Sequence, residues 1–299
     1  MELLVTPEWL EAELVSPDLL VLDATLFLPE HGRDARAEFE AGHVPGAVFM
    51  DLGSFTPLPE PERLRAMLAA LGVGEGTRAV VYDDSPLRSA ARGWWLLAHA
   101  GVDAAVLDGG LARWRAEGRR LDPPRDGEGD RRPQAGGGGG SPQPRRSIDE
   151  ASTRPGAPST TPLRAAVPLT VPGRIRKDEL LPSNRPIADA RSALRFRGEQ
   201  PEPRPNVAPG HMPGARNLPY PEIFAPDGTY KGPDDLRAAF IAAGIDPALP
   251  FVATCGSGVT AASLVLAVRL LGHADARLYD GSWAEWGADP DTPKVVGPG

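Results

Sequence analysis

The chain repeats itself, and that limits its possible folds more than any other feature. Gly42-His43-Val44-Pro45-Gly46-Ala47 recurs as Gly210-His211-Met212-Pro213-Gly214-Ala215. Upstream, Val21-Leu22-Asp23-Ala24 matches Ile187-Ala188-Asp189-Ala190. Downstream, Leu107-Asp108-Gly109-Gly110 and Trp114 match Tyr279-Asp280-Gly281-Ser282 and Trp286. The offset grows from 166 residues at Val21 to 172 at Leu107, and the order is kept. Three matches in register indicate a tandem duplication, two domains of one fold.

Each copy alternates short apolar runs with helical patterns. In the first, Thr6 and Pro7 open a helix as cap and first residue. Strands are expected at Leu19–Leu22, Ala79–Tyr82 and Ala104–Leu107, with an extended Val48–Met50. Helices are expected at Arg36–Ala41, Glu62–Leu71, Ser89–Ala100 and Leu111–Glu117, with Gly72 and Gly118 closing two of them. Such alternation predicts an α/β fold: two tandem domains, each a mostly parallel sheet with helices on both faces. The expected boundaries are 1–121, a linker at 122–173, and 174–299. The linker holds 10 Pro and 9 Gly in 52 residues and no aromatic residue. That composition buries too little apolar area to offset its ordering entropy.

A length of 299 residues suits two domains, each with its own core. A net charge of −8, with 29 of the 32 basic residues being arginines spread through the chain, argues against a nucleic-acid face. One cysteine excludes an intrachain disulfide and a cysteine-cluster metal site. The N-terminus lacks a basic region followed by a long apolar core, so no signal peptide is expected. No run of ~18 apolar residues exists to cross a membrane. A cytoplasmic location, where a free thiol stays reduced, is the expectation.

That lone cysteine, Cys255, sits in Thr254-Cys255-Gly256-Ser257-Gly258-Val259-Thr260. An apolar strand pattern precedes it at 250–253. A helical pattern follows from Val259 to Leu271, with an apolar face of Val259, Ala262, Leu266 and Leu270. At a helix start, N–H groups lack partners and the dipole favours an anion, a thiolate included. Gly256 and Gly258 let the backbone curl with its N–H groups inward. Two readings stand: a buried small hydrophobe, as many free cysteines are, or a nucleophile. The 172-residue offset places Asp83 where Cys255 stands. A carboxylate is no substitute for a thiolate nucleophile, so the first copy is expected to be catalytically silent and to form one wall of the site.

Cys-Gly-Ser-Gly-Val-Thr resembles the active-site loop of the rhodanese-type sulfurtransferases, and in detail their 3-mercaptopyruvate branch. The resemblance covers both copies and omits only the middle. It implies a sulfurtransferase that needs no cofactor or metal. A Cys255 persulfide, cradled by residues 256–260, would carry sulfane sulfur from 3-mercaptopyruvate to a thiol or cyanide and release pyruvate. The small-molecule donor would be matched by an acceptor such as a thioredoxin-like protein or a low-molecular-weight thiol. Ser257 would assist as donor or proton relay. Arg195 and Arg204, in Arg195-Phe196-Arg197 and Pro201-Glu202-Pro203-Arg204, would hold the donor's carboxylate and keto oxygen, as guanidinium suits carboxylate. Asp34 and His43 resemble residues proposed to join a relay with the cysteine and serine.

Plainer uses remain open for several of these. Arg195 and Arg204 also fit solvent-exposed loop positions. Thr260 also fits a helix cap. His43 also fits a turn-fixing role, as His211 does in the other copy. Where the family usually carries a Trp-Tyr pair after Asp23, this chain has Leu26-Phe27. Thiosulfate is the alternative donor, but residues 256–258 carry no charge for a dianion. A cysteine phosphatase needs an arginine where Ala261 stands. A binding module without catalysis would be expected to have lost the cysteine.

Overall fold

A computed structural model describes residues 1–122, 173–180, 182–273 and 275–299. The expected linker therefore lies outside the described residues, apart from Asp122 and Gly173. Asp122 pairs with His43 in an antiparallel bridge, and the Gly173 carbonyl accepts the Leu278 N–H.

The first half contains strands β1 (Leu4–Val5), β2 (Leu19–Asp23), β3 (Val48–Phe49), β4 (Arg78–Tyr82) and β5 (Asp103–Leu107). Its helices are α1 (Pro7–Glu13), α2 (Ala35–Ala41), α3 (Pro61–Ala70), α4 (Ala90–His99) and α5 (Gly110–Ala116). The second half contains β6 (Arg174–Ile175), β7 (Ile187–Asp189), β8 (Ala215–Asn217), β9 (Phe251–Thr254) and β10 (Ala276–Tyr279). Its helices are α6 (Lys177–Leu180), α7 (Ala193–Arg197), α8 (Pro233–Ala242), α9 (Ala261–Leu270) and α10 (Ser282–Trp286). The sheets run β1-β5-β4-β2-β3 and β6-β10-β9-β7-β8, and every pair is parallel. The same order twice is what a duplicated sequence requires.

Local chemistry sets the element ends. The Thr6 hydroxyl accepts the Trp9 N–H and Pro7 opens α1, as expected. Gly72 and Gly118 take left-handed φ of 99° and 69° just past α3 and α5. Helix α4 starts at Ala90, with Ser89 at the cap position but its hydroxyl engaged elsewhere. That hydroxyl donates to the Ala24 carbonyl (2.7 Å) and accepts the Leu26 N–H (3.2 Å). The edge strands β1 and β6 are two residues each, too short to leave a periodic signal.

Helix α9 departs from the one-sided pattern expected of it. Every residue from Ala261 to Val268 is buried, and so is every residue from Ala90 to Ala98 in α4. A helix apolar all round must be covered all round. The two helices pack on each other, and one core cluster joins Trp94 and Trp95 to Leu264 and Val265 across the halves. Each such side chain withdrawn from water contributes about 1.5–3 kcal/mol. The halves thus form a single packed body, with the carboxyl ends of β4 and β9 near their junction.

Candidate active site

Cys255 follows β9 directly, at the carboxyl end of a parallel sheet, where ligands of such sheets commonly bind. It is buried. Its N–H donates to the Ser282 hydroxyl (3.2 Å), which in turn donates to the Tyr279 carbonyl (2.8 Å). The carbonyls of Cys255 and Gly256 accept the N–H groups of Trp283 and Ala284, each at 2.9 Å. The loop is therefore pinned from below by the start of α10. Above, Gly258 N–H donates to Cys255 Sγ over 3.1 Å. No backbone acceptor among the described residues takes the N–H groups of Gly256, Ser257, Val259 or Thr260. Donors near a sulfur with none of their own acceptors suit an anion.

Gly258 has φ +77°, and a Cβ there would stand 2.9 Å from the Asp280 carbonyl oxygen. Only glycine meets both conditions without strain. Thr260 occupies the cap position of α9, but its hydroxyl makes no capping hydrogen bond, and it faces the cavity instead. Its use as a cap is thereby set aside.

A cavity of about 280 Å³ opens over the sulfur. The second half lines it with Arg195, Pro203, Arg204 and the loop residues Cys255, Gly256, Ser257, Val259 and Thr260. The first half supplies Leu26, Leu28, Pro29, Glu30 and Leu87. One wall is thus largely apolar and the opposite one basic. Of the Leu26-Phe27 pair, Leu26 lines the cavity, while Phe27 lies under the Arg33 guanidinium at 4.0 Å.

Arg195 lies on α7, with Nη2 3.0 Å from where a Gly256 Cβ would stand. Its Nη2 and Nε donate to the two Glu202 oxygens at 2.6 and 3.3 Å. Glu202 also accepts from Arg191 Nη1 (2.9 Å). Burial opposes the charge of Arg191, but Asp189 and Glu202 outweigh it and hold its guanidinium above the ordinary value. Glu202 thus fixes the angle of Arg195 from behind, through a group tied to the end of β7. Arg204 is exposed and makes no ion pair among the described residues.

Asp34 and His43 are not brought to this cavity. Asp34 caps α2, accepting the N–H groups of Arg36 (2.9 Å) and Ala37 (3.1 Å). His43 stacks on Phe39 at 4.0 Å, with its Nδ1 2.7 Å from the Phe39 carbonyl oxygen. His211 repeats this on Phe196, at 3.7 and 2.8 Å. The same use in both copies, only one of which holds a cysteine, is a structural one.

In the first half, Asp83 sits where Cys255 does. Its carbonyl accepts Leu111 N–H at 2.9 Å, as that of Cys255 accepts Trp283 N–H. Burial pushes its carboxyl up to about 6, against hydrogen bonds from Ala90 and Ser85. The cavity beside it measures about 20 Å³, room for about one water.

The Rhodanese-like domain family matches residues 6–117 and again 175–289. The chain belongs to that family and carries its domain twice. Human 3-mercaptopyruvate sulfurtransferase is 35% identical over 298 residues, covering 95% of this chain and 91% of the relative. Thiosulfate/3-mercaptopyruvate sulfurtransferase 1, mitochondrial, of Arabidopsis thaliana is 34% identical over 98% of this chain and 78% of its own. Among solved structures, that of SseA from Escherichia coli, described as a 3-mercaptopyruvate sulfotransferase, superposes with a TM-score of 0.71. It is 32% identical, covering 95% of this chain and 99% of that one. The protein is a sulfurtransferase of the tandem-domain kind.

Sequence reasoning missed Glu202 as the anchor of Arg195, although it stands within the Pro-Glu-Pro-Arg run. It also missed Arg92 and Asp280, a buried pair joining the halves. A lone arginine inside the apolar helix Ala90–His99 was the available signal.

Proposed function

We propose that the protein takes sulfane sulfur from 3-mercaptopyruvate onto Cys255 and passes it to a thiol or to cyanide. The observation that carries this reading is that Cys255, Arg195 and Arg204 line one cavity. The thiolate attacks the donor's sulfur, the carbon–sulfur bond breaks, and its electron pair leaves as the enolate of pyruvate. Arg195 and Arg204 hold the carboxylate and the enolate oxygen. A proton then gives pyruvate. The N–H groups of residues 256–260 cradle the persulfide, with the Ser257 hydroxyl at hand as donor. An acceptor thiolate attacks the outer sulfur, forming its own persulfide and releasing the Cys255 thiolate; cyanide would leave as thiocyanate. A low-molecular-weight thiol or a thioredoxin-like protein suits the opening, and a reducing, cytoplasmic setting suits a lone thiol.

Residues 1–121 are then a silent domain that completes the cavity, with 122–173 joining it to the catalytic 174–299. Thiosulfate is the second donor to test, since the Arabidopsis relative is named for both. Incubation with mercaptopyruvate alone is expected to add one sulfur, ~32 Da, to the Cys255 peptide, as covalent transfer requires. Turnover with that peptide unmodified would refute the proposal. A kcat/KM at least ~100-fold higher for mercaptopyruvate than for thiosulfate is expected from one or two charge-assisted contacts.

A further inference from the structure

Arg92 is wholly buried in α4 of the first half, yet only part of its guanidinium is satisfied. Its Nη2 donates to Asp280 Oδ1 at 2.5 Å and lies 3.5 Å from the Phe55 carbonyl oxygen. Its Nε and Nη1 have no hydrogen-bond partner among the described residues. A buried donor left unpaired has given up its water without a replacement, and such a group in a native fold calls for a reason. The Trp95 ring, 4.9 Å away, accounts for the flat face but not for the two donors.

What Arg92 lies against supplies the reason. Its Nη1 is 3.5 Å from where a Gly258 Cβ would stand. Gly258 is the residue whose N–H reaches Cys255 Sγ. Asp280, its ion-pair partner, is two residues before Ser282, which holds the Cys255 N–H. The other Asp280 oxygen accepts Leu58 N–H from the first half at 2.8 Å. The pair therefore lies beneath both sides of the sulfur loop, and it is made across the halves.

We propose that Arg92 is a positioning residue for the sulfur chemistry: a buried cation, lent by the silent half, that seats the Gly258 turn and favours an anion at Cys255. This inference rests on the sulfur-transfer reading. A charge with no access to water is weakly screened, so it acts on the loop across several ångströms. Asp280 offsets part of that charge. His99, stacked on Trp95, adds no second cation at neutral pH. Burial, then Arg174 and Arg92, push it below its ordinary value. Arg92 does not line the cavity, so it acts on the loop and not on the donor.

The test uses the full chain and two variants that break the same ion pair with opposite effects on charge. Arg92→Met removes the cation, and Asp280→Asn leaves it uncompensated while keeping an oxygen for Leu58. At pH 7, iodoacetamide alkylation of Cys255 is expected to slow about five- to tenfold in the first and to quicken about threefold in the second. With mercaptopyruvate, Arg92→Met is expected to lower kcat and leave KM near its original value. Melting and near-ultraviolet circular dichroism verify that each variant is folded. Shifts in the same direction, or no shift, overturn the proposal, because a mere brace responds alike to both cuts. If Arg92→Met fails to fold, Asp280→Asn decides alone: faster alkylation supports the proposal, and unchanged or slower alkylation overturns it. Because alkylation needs no donor, a failure of the sulfur-transfer reading would show separately, as no sulfur gained by the unaltered protein.

Discussion

The loops after β4 and β9 are copies of one backbone with opposite contents. Each gives its first carbonyl to the N-terminal end of the helix after the half's last strand, at 2.9 Å in both. At Asp83 the carboxylate fills its own cradle, taking N–H groups from Ser85 (3.0 Å) and Ala90 (2.6 Å). At Cys255 the sulfur takes one N–H, and the neighbouring donors stay open. The cavities differ accordingly, about 20 against about 280 Å³. Gly110 approaches Asp83 so closely that a Cβ would stand 2.4 Å from its carbonyl oxygen. Ser282, the matching residue, uses its hydroxyl to hold Cys255. A side chain that satisfies its own cradle closes the site; one that cannot leaves donors for a second atom.

The largest test swaps the contents. Cys255→Ser is expected to lower pyruvate release about a thousandfold or more while the melting temperature holds, since no other thiol can form the covalent intermediate. Adding Asp83→Cys to that variant is expected to restore no activity, because the 20 Å³ cavity admits no donor. Recovery of turnover would break the comparison.

Next come the arginines: Arg195 and Arg204 line the Cys255 cavity, whereas Arg88 alone lines the one beside Asp83. Arg195→Ala and Arg204→Ala are each expected to lower kcat/KM for mercaptopyruvate by about 10–100-fold, the scale of one charge-assisted contact. Thiosulfate turnover should change less. Arg195 should matter more, because Glu202 holds it in place and Arg204 is exposed. Steady-state kinetics with both donors measure the difference.

Gly258→Ala is expected to lower kcat by about tenfold and stability by about 1–3 kcal/mol, through the strained φ and the contact with the Asp280 carbonyl. Urea denaturation and initial rates verify both parts.

The smallest effect is a pH slope from the Asp83 loop. The Asp83 carboxyl titrates at about 6 in the folded protein, against an ordinary 3.8. The folded state therefore binds its proton more tightly than the unfolded chain does. Asp83 contributes most stability below pH ~4, loses it as pH rises toward ~6, and is level above that. Asp83→Asn removes this slope, so wild-type stability minus that of the variant should fall as pH rises from about 4 to about 7. Urea midpoints across that range measure it.

Much of this was legible in the chain. The repeat gave two like domains, because a duplicated hydrophobic pattern must bury itself twice in the same way. Cys255 was visible as a lone thiol between glycines after an apolar run, and Asp83 as its replacement by simple offset. Glu202 aside, what was hidden depends on contacts between the halves. No local pattern announces that Arg92 meets Asp280, since 188 residues separate them. The full burial of α9 was hidden for the same reason: its covering layer is α4, in the other copy. Asp34 and His43 were singled out by likeness to the family, and their positions follow instead from short-range bonds to α2 and to Phe39.

The core shared by α4 and α9 also bears on how such a duplication persists. Removing the first half would bare the side of α9 that packs on α4, an apolar surface that favours aggregation of the remaining half. Heating should therefore melt the protein in one calorimetric transition, not two. On the function proposed above, the copy that lacks the thiol is kept for the packing it gives the copy that has one.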